Sequence, residues 1–453
     1  MKQQGNKLPI GIKLGWAVGE LAVASYIGLT IAFLLFYATQ ALGISPWLAG
    51  VVLLIPRLWD AFTDPLMGAI SDRTKSKMGR RRPYLLLGSI LLGLSVMGLF
   101  HAPVAASEMQ KALYLLVFYL LASTAITIFD VPYSSMAAEM TDDYDERLSL
   151  TGYKMVAARL GILVILFTVP VIFGKGENLA IGFRYVGLGF GAFIIATGVA
   201  SFFLTKRAPR LEKPVGKFSI REEIKAVRSN KPFRALWIVF LFQNLAIGAS
   251  ATTLLYMLTL VIKIEGSQAG VFMAISAITA TLLTPVWVIA GKKLAKKKGY
   301  YIALILSILA PIPFLFIQPG MMTALVFMLM FMGAAEASNQ LFPNSMVPDT
   351  VEVDELRTGE RREGAIFGAW AFCRKLGMTA GAFLVSLMLS AFGLVKGVSA
   401  DLQPENALLG VRLSYALLPL ALWVIALLLL HRYKLSEEKF NAIKQKIASK
   451  VEE

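Results

Sequence analysis

Twelve predominantly apolar blocks follow one another along the chain, and their length constrains the fold more than any other feature. About 20 helical residues span the ~30 Å hydrocarbon layer of a bilayer. Within that layer no water satisfies the backbone, so only helices and closed barrels cross it. A barrel strand shows about ten residues of alternating polarity, and the chain lacks that pattern. The blocks therefore predict an all-α polytopic membrane protein with twelve transmembrane helices. The ninth block runs over 300–317 and the twelfth over 408–432.

Composition agrees. The 453 residues are 57% hydrophobic and 16% charged, against about 25% charged in soluble domains. The net charge of +16 would suggest nucleic acid in a soluble protein. Here the lysines and arginines crowd the short loops between blocks, so no nucleic-acid partner is expected. Basic loops stay cytoplasmic. Loop 72–82, the loop after the eighth block and the middle linker are all basic, which puts both termini in the cytoplasm of a bacterial-type inner membrane. The basic start has no small-residue cleavage site after its apolar run, so the first block is expected to stay in the membrane. Cys373 is the sole cysteine, so no internal disulfide forms, and His101 and His431 fall near block ends. With no nucleophile motif, metal cluster or phosphate-binding glycine loop in view, an enzyme is not expected.

The longest polar stretch divides the blocks six and six. The predicted organisation is a six-helix bundle over 1–204 and a linker over 205–232 carrying an amphipathic helix near 220–227. A second bundle over 233–432 and a cytoplasmic tail over 433–453 complete it. The halves also resemble each other. Pro132 answers Pro343, Ser135-Met136 answers Ser345-Met346, Asp145-Glu146 answers Asp354-Glu355, and Arg159-Leu160-Gly161 answers Lys375-Leu376-Gly377. Membrane transport folds are built from such repeats, with the binding site near the midplane.

Asp60 and Asp64 stand one helical turn apart inside the second block. A carboxylate at that depth costs about 2.5–3.5 kcal/mol on insertion scales, and neighbours at i, i+4 repel each other. Something must neutralise them: a bound cation, a proton or a basic partner such as Arg57. Gln243, Asn244, Asn339 and Gln340 place amides at membrane depth, where they suit a polyhydroxyl ligand or join helices.

The stretch RLWDAFTDPLMGAISDRTKSKMGRRRPYLL resembles a signature of the glycoside–pentoside–hexuronide:cation symporters, a family of the major facilitator superfamily. DVPYSSMAAEMTDDYDERLSLTGYKM and DELRTGERREGAIFGAWAF resemble its other two signatures, in the same order. The resemblance covers nearly the whole chain. It implies two six-helix bundles with pseudo-two-fold symmetry and a central site open to one side at a time. It also implies symport of a sugar or glycoside with Na⁺, H⁺ or Li⁺, by a protein for which a monomer suffices and which needs no cofactor beyond that ion. The oxygens of Asp60, Asp64 and Thr127 favour Na⁺ over H⁺, and the basic residues at depth admit an anionic sugar such as a uronide or sulfosugar.

Carried over position by position, the resemblance implies a cation site at Asp60, Asp64 and Thr127, with Thr63 nearby and Na⁺ held by the two aspartates. It implies substrate contacts from Glu20, Asp130, Lys154, Gln340, Lys375 and Trp370. The loop residues Asp72, Arg73, Asp145, Arg147, Asp354 and Arg361 would form gating networks. Ser134 and Gln340 stand where the family pattern has tryptophans, so a sugar-stacking platform would fall to Trp16, Trp370 or Tyr133. Two other functions remain open: a lysophospholipid or other amphiphile symporter, and a receptor on the same fold that moves nothing.

Overall fold

The computed structural model describes residues 7–141, 143–211, 228–291, 293–358, 362–435 and 440. The amphipathic linker helix expected near 220–227, Arg361 and nearly all of the tail lie outside them. Twelve long helices are present among the described residues. They are α1 (Ile10–Ala41), α2 (Pro46–Arg73), α3 (Arg82–Leu99), α4 (Glu108–Met140), α5 (Tyr144–Phe173), α6 (Leu179–Leu204), α7 (Lys231–Val261), α8 (Gly266–Gly291), α9 (Lys296–Leu309), α10 (Met322–Thr358), α11 (Glu363–Ala391) and α12 (Glu405–Leu430). Eleven are long and apolar enough to cross a membrane, α9 when its 3₁₀ continuation to Leu315 is included. The remaining one, α2, has 28 residues, but Arg57, Asp60 and Asp64 interrupt its apolar run.

Two blocks differ from expectation for the same reason. The ninth stops as an α-helix at Leu309 and continues as a 3₁₀ turn over Ile312–Leu315. Pro311 and Pro313 supply no N–H to an i−4 carbonyl. The twelfth breaks at Ala416, where Pro419 deprives the Tyr415 carbonyl of its helical donor.

Contacts divide the chain into two compact units, one built on α1–α6 and one on α7–α12. Two short stretches, Glu265–Gly270 and Lys396–Val398, cluster with the first. Within the first unit α1 packs on α5 and α6, α3 on α4 and α6, and α2 on α4. Within the second, α7 packs on α11 and α12, and α9 on α10 and α12. The Trp287 indole on α8 donates to the Ala334 carbonyl of α10 at 3.1 Å. The pairing scheme is the same in both. Glycine permits the closest approaches: a Cβ on Gly88 of α3 would lie 2.7 Å from the backbone nitrogen of Phe129 on α4.

The repeat extends to backbone detail. Helices α1 and α7 both end in a π-turn, Tyr37–Ala41 and Met257–Val261. Each then passes through one left-handed residue, Gly43 at φ 68° or Lys263 at φ 61°. The same bonds close both turns: Leu42 N–H to Tyr37 O at 3.0 Å and Ile44 N–H to Ala38 O at 2.9 Å in one, Ile262 N–H to Met257 O at 3.0 Å and Ile264 N–H to Leu258 O at 2.9 Å in the other.

Candidate functional site

Helix α4 carries Ser123, Thr127, Asp130 and Ser134 at i, i+4, i+7 and i+11, so all four lie on one helical face. The three hydroxyls each meet a charged group, and with Asp130 they trace a polar stripe through the first unit.

At one end Ser123 meets Asp60, which is buried to 1% exposure. Its Oγ donates to Asp60 Oδ1 and lies 3.1 Å from the Pro56 carbonyl. Arg57 Nη1 donates to Asp60 Oδ2 at 3.1 Å, and the two side chains are only 7% and 2% exposed. Arg57 Nη2 donates to Thr30 Oγ1 at 3.2 Å. The guanidinium also sits 5.4 Å from the Tyr26 ring centre and 5.7 Å from that of Tyr119. Asp60 is therefore neutralised by a resident arginine that is itself caged by two aromatic rings. Of the two aspartates expected to hold Na⁺, Asp60 has the basic partner Arg57, the other neutralising group that the sequence offered.

One turn on, Thr127 Oγ1 donates to Asp64 Oδ1 at 2.7 Å. Asp64 is only half-buried, whereas Thr127 is 3% exposed. Thr63 does not join them, because its hydroxyl donates to Trp59 O on its own helix at 3.2 Å. Pro65 follows Asp64 and removes the N–H that the Ala61 carbonyl would otherwise accept. Among the described residues no three His, Cys, Asp or Glu side chains cluster as metal ligands. An ion held here would take carboxylate, hydroxyl and carbonyl oxygens.

At the other end of the stripe Ser134 Oγ donates to Asp130 Oδ1 at 2.9 Å and accepts from Lys154 Nζ at 2.8 Å. Lys154 Nζ lies 3.3 Å from Glu20 Oε2. It also stands 5.0 Å from the Tyr133 ring centre and 5.7 Å from that of Trp16. The rings stack at 5.2 Å and are tied backbone to side chain in both directions. Trp16 Nε1 donates to Tyr133 O at 3.2 Å, and the Tyr133 hydroxyl donates to Trp16 O at 2.9 Å. The structure thus brings Glu20, Asp130 and Lys154 into one cluster, with Ser134 as the joint.

Gln340, Lys375 and Trp370 belong to the second unit. Lys375 and Gln340 are half-buried, and the Gln340 carbonyl accepts from Asn344 Nδ2 at 2.6 Å. Trp370, one of the residues expected to offer a stacking platform, is packed against its neighbours. It is 6% exposed, lies flat on Phe240 with ring centres 3.6 Å apart, and spends its indole N–H on Asn344 Oδ1 at 2.8 Å. The buried amides of Gln243 and Asn339 join helices, whereas that of Asn244 bonds within α7. Gln243 Nε2 donates to Asn339 O at 3.0 Å and Gln243 Oε1 accepts from the Tyr300 hydroxyl at 2.6 Å. Asn339 Nδ2 donates to Ser307 Oγ, and Asn244 Nδ2 to Phe240 O at 2.7 Å.

The loop networks lie at the basic ends of the helices. Asp72 pairs with Arg81 at 2.8 Å, and Arg81 reaches Glu139 at the end of α4 at 2.7 Å. Arg80 pairs with the same Glu139 oxygen. Burial pushes the Arg81 guanidinium below its ordinary pKa, and Glu139 and Asp72 oppose that shift. Arg73 is exposed and enters no ion pair among the described residues. In the second unit Asp349, at the matching point of α10, pairs with Lys296 at 2.7 Å. Asp145 is exposed; its neighbour Glu146 makes the bond to α1, 2.8 Å from Lys13 Nζ, and accepts from Leu8 N–H at 3.1 Å. Arg147 Nε donates to Thr141 O at 2.9 Å. Asp354 is fully buried and held by Arg357 at 2.7 Å and Arg362 at 2.8 Å. Arg361 lies outside the described residues.

Sequence reasoning missed Tyr26, Tyr119, Ser123 and Glu139 as members of these networks. Two of them leave a signal. Ser123 precedes Thr127 by four on the same helix, and Glu139 has its counterpart in Asp349 within the internal repeat.

Paired charges buried in apolar helices of a two-unit, internally repeated bundle define a membrane transporter, not an enzyme. The chain belongs to the family described as "MFS/sugar transport protein", whose model matches residues 15–437. It is 29% identical over 449 residues to the uncharacterized symporter YnaJ of Bacillus subtilis (strain 168), covering 97% of this chain and 95% of that one. It is 26% identical over 449 residues to the putative glycoside/cation symporter YagG of Escherichia coli (strain K12), covering 98% and 95%. In structure it is similar to a bacterial homologue of the human lysosomal transporter Spinster in an inward-facing, occupied conformation. The TM-score is 0.69 at 17% identity, with 95% of this chain and 97% of the other covered. That likeness concerns the fold. The protein is a multi-pass membrane protein of that transport family.

Proposed function

We propose that this transporter is a cation-coupled symporter of the glycoside–pentoside–hexuronide type carrying a small polyhydroxylated solute. The observation that carries the reading is the α4 stripe. It links Asp64 and Thr127 at the cation end to Asp130, Ser134, Lys154 and Glu20 at the solute end. A single helix face that touches both ligands lets occupancy at one end bias the other.

The oxygens at the cation end support an ion there: Thr127 Oγ1 meets Asp64 Oδ1 at 2.7 Å, and Pro65 leaves the Ala61 carbonyl of the same helix without its usual donor. Oxygens of this kind suit Na⁺, and the same carboxylate can take H⁺ in its place. At the solute end Glu20 and Asp130 accept hydrogen bonds from vicinal hydroxyls, and Lys154 donates to ring or hydroxyl oxygens. The putative glycoside/cation symporter among the relatives is consistent with that chemistry. A uronide or sulfosugar would need further positive charge, for which Lys375 on α11 is the nearest candidate in the sequence pattern.

The test is uptake into proteoliposomes of neutral glycosides, uronides, sulfosugars and lysolipids, each with an imposed Na⁺ gradient, an imposed H⁺ gradient or none. The reading expects one sugar to accumulate only with a cation gradient and Lys154→Gln to raise its KM. Accumulation of lysolipids alone would overturn the sugar assignment, and uptake indifferent to both gradients would overturn the coupling.

A further inference from the structure

The N-terminus of α3 is charged the wrong way for a helix. Unpaired N–H groups and the helix dipole favour an anion there. Instead the sequence places Arg80, Arg81 and Arg82 at this end, and no side chain caps it. Arg80 and Arg81 are matched by Glu139 and Asp72. Arg82 is not matched by any carboxylate among the described residues.

Arg82 is 5% exposed. Its Nη2 donates to the Phe202 carbonyl of α6 at 2.6 Å, and its guanidinium sits 4.6 Å from the Phe202 ring centre. Its buried Nε has no acceptor. The charged group acting on it is a second arginine, Arg210. That residue lies on a strap that leaves α6 and is pinned where Leu211 N–H donates to Glu139 O at 2.8 Å. The Arg210 side chain crosses the loop before α3, with Nη1 3.5 Å from Lys77 O and Cδ 3.2 Å from the position of a Cβ on Gly79. Gly79 has φ +92° and nothing larger would fit beneath that side chain without strain.

Two guanidiniums flank an uncapped helix end and an orphaned buried donor, and neither guanidinium pairs with a carboxylate among the described residues. The geometry points to a binding site for a phosphate group here, presented by an anionic phospholipid of the inner leaflet. Basic pockets between helices on the cytoplasmic side take such headgroups, and the positive loops assign this end to the cytoplasm. The surroundings favour a lipid over a free anion. Phe203, next to Phe202, is 62% exposed, Leu204 52% and Leu87 50%, so acyl chains have apolar surface beside the charged end. Occupancy fastens α3, α6 and the strap together, which makes the site a point where membrane composition acts on the first unit.

The experiment uses the full-length protein in detergent micelles, with thermal unfolding and native mass spectrometry as readouts. Phosphatidylglycerol, phosphatidylcholine and millimolar inorganic phosphate are added separately. The expected result is a melting-temperature rise and retained lipid adducts with phosphatidylglycerol but not phosphatidylcholine. Both should fall about tenfold in apparent affinity in Arg82→Gln and in Arg210→Gln, as for loss of a charge-assisted contact worth about 1.4 kcal/mol. Arg432→Gln, an exposed arginine beyond α12 in the second unit, keeps the response. A full rise with inorganic phosphate alone supports the same site with a soluble ligand. Equal responses in Arg210→Gln and Arg432→Gln overturn the proposal, and Arg210, being exposed, gives that answer even if Arg82→Gln fails to fold.

Discussion

Replacing Arg57 with glutamine strands Asp60. The carboxylate stays at 1% exposure with only Ser123 to donate to it, and breaking a buried ion pair by removing one partner costs about 3–5 kcal/mol. Asp60→Asn in the same background removes the stranded charge. What the double variant still lacks is the Thr30 hydrogen bond and the contacts with Tyr26 and Tyr119, together about 1–2 kcal/mol. Adding Asp60→Asn to Arg57→Gln should therefore recover about 2–3 kcal/mol of the loss, so the two effects are far from additive. The assay is reversible unfolding in mixed detergent–SDS micelles, followed by tryptophan fluorescence, for wild type, both single variants and the double. If Arg57→Gln costs under about 1 kcal/mol, within the range of an exposed pair, or if the effects add, then Arg57 does not neutralise Asp60. The asymmetry between the two aspartates then falls with it.

Further outcomes follow from the packing. Trp370→Ala should lose about 3–5 kcal/mol in the same unfolding assay, and Trp370→Phe, which keeps the stack on Phe240, clearly less; equal losses would return Trp370 to the solute site. Tyr300→Phe leaves Gln243 Oε1 buried without its donor and should cost about 1–3 kcal/mol. Gly88→Leu should abolish a monodisperse folded protein on size-exclusion chromatography, because its Cβ meets the Phe129 backbone at 2.7 Å, while Gly189→Ala, which meets nothing within 4 Å, should behave as wild type. Glu139→Gln frees Arg80 and Arg81 together and should change the rate of transport more than solute affinity, read as initial uptake rate against equilibrium binding.

The helices were legible because their cause is local. A run of apolar residues long enough to cross the membrane must be helical wherever it packs, and its prolines mark its breaks, as at Pro311 and Pro419. The charged residues at depth were legible for the same reason, since each is costly in place. Their partners were legible only as alternatives. Arg57 stands three residues from Asp60, yet whether it turns to that carboxylate or elsewhere depends on Tyr26 and Tyr119, which arrive from two other helices. Trp370 looked like a platform because an aromatic in a polar signature suggests a ligand. Its environment is set by Phe240, 130 residues away, which no local pattern reveals. Thr63 sits one residue from Asp64 and seemed a ligand for that reason, but consecutive residues on a helix face different ways. The gating acids divide likewise: Asp354 is enclosed by two arginines, while Asp145 is exposed and Glu146, its neighbour, makes the contact with α1.

The account's central claim is that ion and solute meet on one face of α4, with Asp64 as the carboxylate that answers to the ion. The direct measurement compares two modes of transport in proteoliposomes for wild type, Asp64→Asn and Thr127→Val. One is exchange of labelled solute at equal concentrations on both sides. The other is accumulation driven by a cation gradient. The account predicts that Asp64→Asn retains exchange, because the Glu20–Lys154–Asp130 cluster is intact, but loses accumulation, with Thr127→Val weakened in the same direction. Accumulation by Asp64→Asn equal to that of wild type would contradict it.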